Sequence, residues 1–597
     1  MTSHNDTAGR IPGTGRRGRA DPPGGRTVDS AGDELSARIA AAIAALDWSP
    51  LLANNPLIQA QVAWLKKPQE FGERMNRLSA DLWRLQWHGW QRLSGHPDPD
   101  PISPNPYDER FADPLWTEEP AWDEVKEWYL TLYRHIRAMT HEIPGMSDKE
   151  RRRVAFWFKQ WLDAAAPTNF LWTNPVAQRK ALESGGQTLS EGFQRFLGDM
   201  QLGTVRMTDP GDFRVGENLA TTAGAVVFRN RLVEVIHYAP TQAQVHAEPV
   251  VIITPWINKF YVLDLTPKKS LVRFLLDQGL DVFITSWRNP GLPLRNVRID
   301  DYLLEGVHAT IEVARQMSGA RQVHAVGYCI GGTALAMYLA WANRRFAAAE
   351  VPVADWTLFT TLVDFEHPGE IDVFIDEASV ARLCQKMRLK GYLDGQEMAV
   401  AFRLLRANGL IWHYVVHGWL YGEKPKPFDV LFWNMDTTRM PQAMHAWYLT
   451  ELYLNNRLIQ PGALTVAGEA LDLTAITQPL YAVAAEDDHI APWEQTFRVA
   501  NHVSGDKRFV LSSSGHILGI VNPPVDPPKR SYWAGPAQRE DRAGAWKGRT
   551  AERAGSWWVD WMDWLKPRAG PLVAARPAAT AAFPELAPAP GTYVLEA

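Results

Sequence analysis

The spacing of apolar positions changes style twice along the chain. From about 35 to 200 they recur at helical intervals. Trp83, Trp87 and Trp90 stand at i, i+4 and i+7, one stripe of a helix, and 121–139 and 150–165 repeat the amphipathic pattern. Residues 95–106 are rich in Gly, Pro and Asp and read as a loop. Near Val226 short apolar runs begin to alternate with helical stretches. Strands are expected at 225–228, 232–238, 249–254, 281–286, 322–326, 356–362 and 479–485, with 508–511 as a short, last one. Helices are expected at 270–278, 301–317 and 332–342 between them. This alternation predicts a parallel sheet covered by helices on both faces. It fails from about 380 to 458, where the text is helical and aromatic, so an inserted cap is placed at about 365–470. A Trp-rich helix at 556–565 and an Ala/Pro-rich tail follow.

Residues 1–34, rich in Gly, Pro, Arg and Asp without periodic apolar positions, are expected to be a disordered head. The division is then a head at 1–34, a helical N-terminal domain at 35–205 and an α/β domain at 206–597 carrying the cap. A chain of 597 residues exceeds what one core supports, in keeping with that division. The formal net charge of -5 and the lack of a long basic block argue against nucleic acid as a partner. Two cysteines, Cys329 and Cys384, cannot staple a chain this long, which suits a reducing, cytoplasmic setting. No run of about 18 apolar residues is present, so no membrane span is expected. The 26 Trp are many, and point either to an aromatic core or to contact with an apolar partner.

The chemistry is carried by Gly327-Tyr328-Cys329-Ile330-Gly331-Gly332, which follows one expected strand and opens a helix. This is G-x-C-x-G, the nucleophile elbow of the α/β-hydrolase fold with Cys in place of Ser. A tight strand-to-helix turn pushes the nucleophile out of the sheet, and its flanking glycines let the backbone pass. A thiol there needs a base, and the base an orienting acid, in the chain order nucleophile, acid, His. Asp487 and Asp488 follow the strand at 479–485, with His489 a neighbouring candidate, and His516 follows the strand near 508–511. His516 is read as the base, and by position alone the acid stays open between Asp487 and Asp488. The oxyanion donors are expected to be the backbone N–H groups of Ile330, behind the nucleophile, and Ile257, in the loop after the strand at 249–254. Cys384 reads as a helix packing position with no role. A thiol attacking a thioester exchanges like for like, so the acyl group stays activated. A Cys elbow therefore suits acyl transfer better than hydrolysis.

The stretches GYCIGG (327–332), TPWINKFYVLDLTP (254–267), FITSWRNP (283–290), AEDDHIAPW (485–493), SGHILGIVNPP (514–524), FWNMD (432–436) and APGTYVL (589–595) resemble the bacterial polyhydroxyalkanoate synthases, from about residue 80 to the end. The resemblance implies that Cys329 holds a growing chain as a thioester, that Asp488 is the catalytic acid and that His516 activates the thiol. Asp488 would orient His516 or help activate the incoming hydroxyl. Trp256 and Tyr328 resemble the single-subunit class for short monomers. The implied reaction is polymerisation of (R)-3-hydroxyacyl-CoA, mainly 3-hydroxybutyryl-CoA, with release of CoA and no bound cofactor. Also implied are a granule surface, granule-associated proteins and a homodimer formed through the cap. The rivals are a Cys-dependent thioesterase of the same fold and a non-catalytic granule scaffold.

Overall fold

The computed structural model describes residues 56–95 and 108–597. The head expected at 1–34, residues 35–55 and most of the loop expected at 95–106 lie outside the described residues.

One sheet organises the second half. Its strands are β1 (Gly224–Arg229), β2 (Val233–Tyr238), β3 (Val250–Ile253), β4 (Val282–Trp287), β5 (Val323–Tyr328) and β6 (Val353–Phe359). Beyond the cap come β7 (Leu480–Ala485), β8 (Lys507–Ser512), β9 (Ser531–Pro536), β10 (Glu552–Ala554) and β11 (Ala587–Pro588). The spatial order is β10-β9-β8-β7-β6-β5-β3-β4-β2-β1-β11. The six strands from β8 to β4 run parallel, and the strands outside them are antiparallel. Strands buried on both faces must be apolar throughout, and β3 (VVII) and β7 (LYAVAA) are buried at every position. Their side chains alternate between two cores. Val251, Ile253 and Ala325 belong to one, and Val250, Ile252 and Val326 to the other. This is the α/β-hydrolase arrangement, with the elbow at the end of central strand β5.

The expected strands are present, but β8 is not the last. β9, β10 and β11 extend the sheet as antiparallel strands. They were hard to read because no crossover helix separates β8 from β9, and β11 contains only Ala587 and Pro588. The Trp-rich helix is Trp557–Leu565, and its Trp557, Trp558 and Trp561 lie buried in the second core.

Between β6 and β7 the chain is mostly helical, including Glu377–Lys390, Gly395–Leu405 and π-helical turns at Asn408–Trp412, Val416–Leu420 and Tyr448–Leu454. Helices Pro56–Leu65, Pro68–Leu93, Pro120–His141, Asp148–Ala164, Pro175–Glu183 and Gln187–Leu202 precede the sheet. Asp148–Ala164 starts at a capping box in which Ser147 and Glu150 satisfy each other's backbone N–H groups. Several of these helices dock on the cap. Asn408 Nδ2 donates to Asp163 Oδ1 (3.0 Å), Trp419 Nε1 to Asp199 Oδ2 (2.9 Å) and Lys180 to Glu423 (2.9 Å). The Trp83, Trp87 and Trp90 stripe instead faces outward, at 75%, 65% and 64% exposure. The abundant Trp therefore divide between core and surface. Among the described residues no helix is long and apolar enough to cross a membrane.

Candidate active site

Cys329 sits between β5 and helix Ile330–Arg345 with φ 51° and ψ -125°. A side-chain-bearing residue held there costs about 1–3 kcal/mol and persists only where its surroundings fix it. The surroundings do so. The Cys329 N–H donates to the Phe359 carbonyl (2.9 Å), while its own carbonyl accepts from Gly332 N–H (2.9 Å) and the Thr361 hydroxyl (3.2 Å). The glycines are spatial requirements. A Cβ on Gly331 would lie 2.5 Å from the Ile253 carbonyl oxygen and 2.6 Å from that of Thr254. One on Gly332 would strike the Thr361 hydroxyl, and one on Gly327 the backbone of Gly332. The turn can thus close only with glycine at those positions.

His516 and Asp488 arrive on the loops after β8 and β7. His516 Nδ1 lies 2.6 Å from Asp488 Oδ2, both side chains buried. The other Asp488 oxygen accepts from the N–H groups of Ile490 (2.8 Å) and Ala491 (2.9 Å), so the carboxylate is held from both sides. Asp487 has its side chain exposed, and its N–H donates to the Ser514 carbonyl (3.0 Å), tying the acid loop to the His loop. The acid left open by position is therefore Asp488 in geometry. His489 is pushed down to about 4, by burial first and then by Arg406, and its Nδ1 is buried without a partner.

On its other side His516 lies close enough to Cys329 to feel a charge on the sulfur. Burial opposes a charge on this ring. The negative fields of Asp488 and Cys329, with their hydrogen bonds, outweigh burial and lift His516 to about 10. Tyr328 packs its ring 5.8 Å from that of His516, nearly parallel.

Ile330 is the first residue of the helix behind Cys329, where no intrahelical acceptor exists for its N–H. Ile257 lies half-buried in the loop after β3, the strand beside β5. The next residue, Asn258, bridges to Thr437 of the cap. Cys384 lies on Glu377–Lys390, packed against the first core.

The cap contributes two residues that sequence reasoning passed over. Tyr448, buried, and Tyr453, half-buried, lie close enough to feel a charge on Cys329, and their rings are 5.3 Å apart. Burial, against the opposing pull of Tyr448, pushes Tyr453 up to about 12. Positions i and i+5 do not share an α-helical face, so ordinary periodicity hides the pair. The π-helical stretch Tyr448–Leu454 brings them together.

A half-buried thiol with a buried imidazole and carboxylate behind it can move a proton off sulfur, form a thioester and return the proton to a leaving group. Among the described residues no group of His, Cys, Asp and Glu could hold a metal ion.

Two family models match the chain. One is described as "Poly-beta-hydroxybutyrate polymerase (PhaC) N-terminus" over residues 107–275, the other as "alpha/beta hydrolase fold" over 249–523. The poly(3-hydroxyalkanoate) polymerase of Methylorubrum extorquens is 39% identical over 546 residues, covering 90% of this chain and 89% of its own. The poly(3-hydroxyalkanoate) polymerase subunit of Cupriavidus necator is 39% identical over 539 residues, covering 88% of each chain. That of Rhizobium meliloti is 38% identical over 535 residues, covering 89% of this chain and 86% of its own.

Proposed function

Since the chain belongs to the poly(3-hydroxyalkanoate) polymerase family, we propose that it polymerises (R)-3-hydroxyacyl-CoA, mainly 3-hydroxybutyryl-CoA, through a thioester on Cys329. The observation that carries this reading is the Cys329–His516–Asp488 series at a strained elbow.

In the first step the proton that Cys329 and His516 share rests on the imidazole as sulfur attacks the substrate's thioester carbonyl. Negative charge gathers on the carbonyl oxygen, which the N–H groups of Ile330 and Ile257 are proposed to receive. The carbonyl re-forms as the C–S bond to CoA breaks, and the imidazolium gives its proton to the departing thiolate. In the second step the 3-hydroxyl of another unit attacks the Cys329 thioester. Its proton passes to His516 and on to the leaving sulfur, so one ester bond forms and one thioester bond breaks. Both Asp488 oxygens are already engaged, one on His516 and one on backbone N–H groups, which supports orientation of His516 as its role. Because sulfur replaces sulfur, the first step is nearly balanced, and formation of the ester drives the second.

The proposal includes attachment to the surface of the polyester granule through the exposed Trp83, Trp87 and Trp90 stripe, contact with granule-associated proteins, and a homodimer. A contiguous exposed apolar stripe is the feature that suits an apolar surface.

The test is thiol release from (R)-3-hydroxybutyryl-CoA with turbidity followed in parallel. Release with rising turbidity is expected. Release without turbidity would mark a thioesterase, and no release would favour a scaffold.

A further inference from the structure

A cavity of about 900 Å³ opens between helix Pro120–His141 and the π-helical cap segments Asn408–Trp412 and Val416–Leu420. None of Cys329, Asp488 and His516 lines it. Its volume is that of a ligand pocket rather than a packing defect. One wall carries Glu127, Leu130, Thr131 and Arg134, at i, i+3, i+4 and i+7 of Pro120–His141. Asn408, Trp412 and Val416 face them from the cap.

Three lining residues, Glu127, Thr131 and Asn408, each hold a buried side-chain oxygen with no hydrogen-bond partner. Leaving such a group unsatisfied costs about 1–3 kcal/mol. The Asn408 amide nitrogen is already spent on Asp163, so its free atom is an acceptor. The Thr131 hydroxyl and the Glu127 carboxyl complete a set that wants hydroxyl donors. Burial pushes Glu127 up to about 7, against the opposing pull of Lys126, so the carboxyl can itself give or take a proton bond near neutrality. The cations differ in their commitments. Arg110 is paired with Asp108 and Lys180 with Glu423. Arg137, half-buried in the lining, rests against the Tyr133 ring and makes no ion pair among those of the described residues. It is the natural partner of an anionic group. Trp116, Leu130 and Val176 supply apolar wall between these polar points.

We propose that this cavity is a second, non-catalytic site for a hydroxy acid, whose hydroxyl meets Glu127, Thr131 and Asn408 and whose carboxylate meets Arg137. Two sources share that chemistry, a short linear hydroxybutyrate chain and a sugar acid, and the first rests on the polymerase reading above. Because one wall is N-terminal and the other belongs to the cap, an occupant bridges the two.

The experiment is isothermal titration of the full Cys329→Ala chain with the linear trimer of (R)-3-hydroxybutyrate and, separately, with gluconate. Thr131→Val and Arg137→Gln are titrated in the same background. Thr131→Val removes only an unpartnered hydroxyl and keeps the shape, so folding is spared. Saturable heat with at least one ligand, weakened roughly fivefold or more by each substitution, supports the site. The ligand that binds identifies the source. No heat with either ligand, or heat unchanged by both substitutions, overturns it. CoA release by the wild-type chain is scored separately. Absent CoA release with intact trimer binding therefore refutes the polymerase reading and leaves the site standing.

Discussion

Cys329→Ala should abolish CoA release while leaving the fold intact, because alanine at the same backbone angles introduces no new contact. Thiol release and thermal unfolding, measured side by side, check this. Asp488→Asn probes the field that holds His516. His516 keeps its proton up to about 10, against an ordinary 6.5, so its charge-linked stabilisation is complete below pH 6.5 and is lost as pH rises through 10. The same proton is needed by the departing CoA thiolate. CoA release should therefore hold through neutral pH and fall on an alkaline limb near pH 10. With Asn at position 488 the limb should move down toward 6.5, and the rate should drop on the order of 10⁴-fold. A limb unmoved by the substitution would place the titrating group elsewhere. At this scale most of the site could be read from the sequence. Gly327-Tyr328-Cys329-Ile330-Gly331-Gly332 is a local motif, and the order Cys, Asp, His follows from the fold. The choice of Asp488 over Asp487 could not be made by position, because adjacent residues differ only in which way the loop turns them.

The elbow and the cap helices make separate demands as elements. Gly331→Ala must push a methyl group into the carbonyls of Ile253 and Thr254, which are backbone and cannot rotate away. We expect a loss of about 1–3 kcal/mol in urea unfolding, together with loss of CoA release. Gly544→Ala, on helix Ala543–Arg549 with nothing within 4 Å of the added Cβ, should be neutral or slightly stabilising. Equal effects from the two would contradict the packing account. The parallel strands were legible because each contains a short apolar run. The antiparallel additions were not, because no crossover helix sets off β9, and the edge strands β10 and β11 are short and carry polar or Pro residues. Nor was the Tyr448–Tyr453 pair, since π-helical turns break the periodicity on which helix reading depends.

Over the whole molecule, the N-terminal helices and the cap depend on each other. Asp163, Asp199 and Lys180 on one side hold Asn408, Trp419 and Glu423 on the other. Deleting residues 1–200 should therefore weaken CoA release by loosening the cap, and should also lower granule attachment. Replacing Trp83, Trp87 and Trp90 with Gln separates the two effects. Those side chains are exposed, so CoA release should be kept while attachment in cells falls. Attachment that persists after the triple substitution would remove the stripe from the account. That the N-terminal helices pack on the cap is a long-range contact that no local pattern reports.

The central claim is that the growing chain is carried on Cys329. Its most direct test is mass analysis of the Cys329 peptide after acid quench of a reaction with (R)-3-hydroxybutyryl-CoA. The account predicts a ladder of adducts on that peptide, spaced by one 3-hydroxybutyryl unit and removed by hydroxylamine. An unmodified Cys329 peptide alongside continuing polymer formation would contradict it.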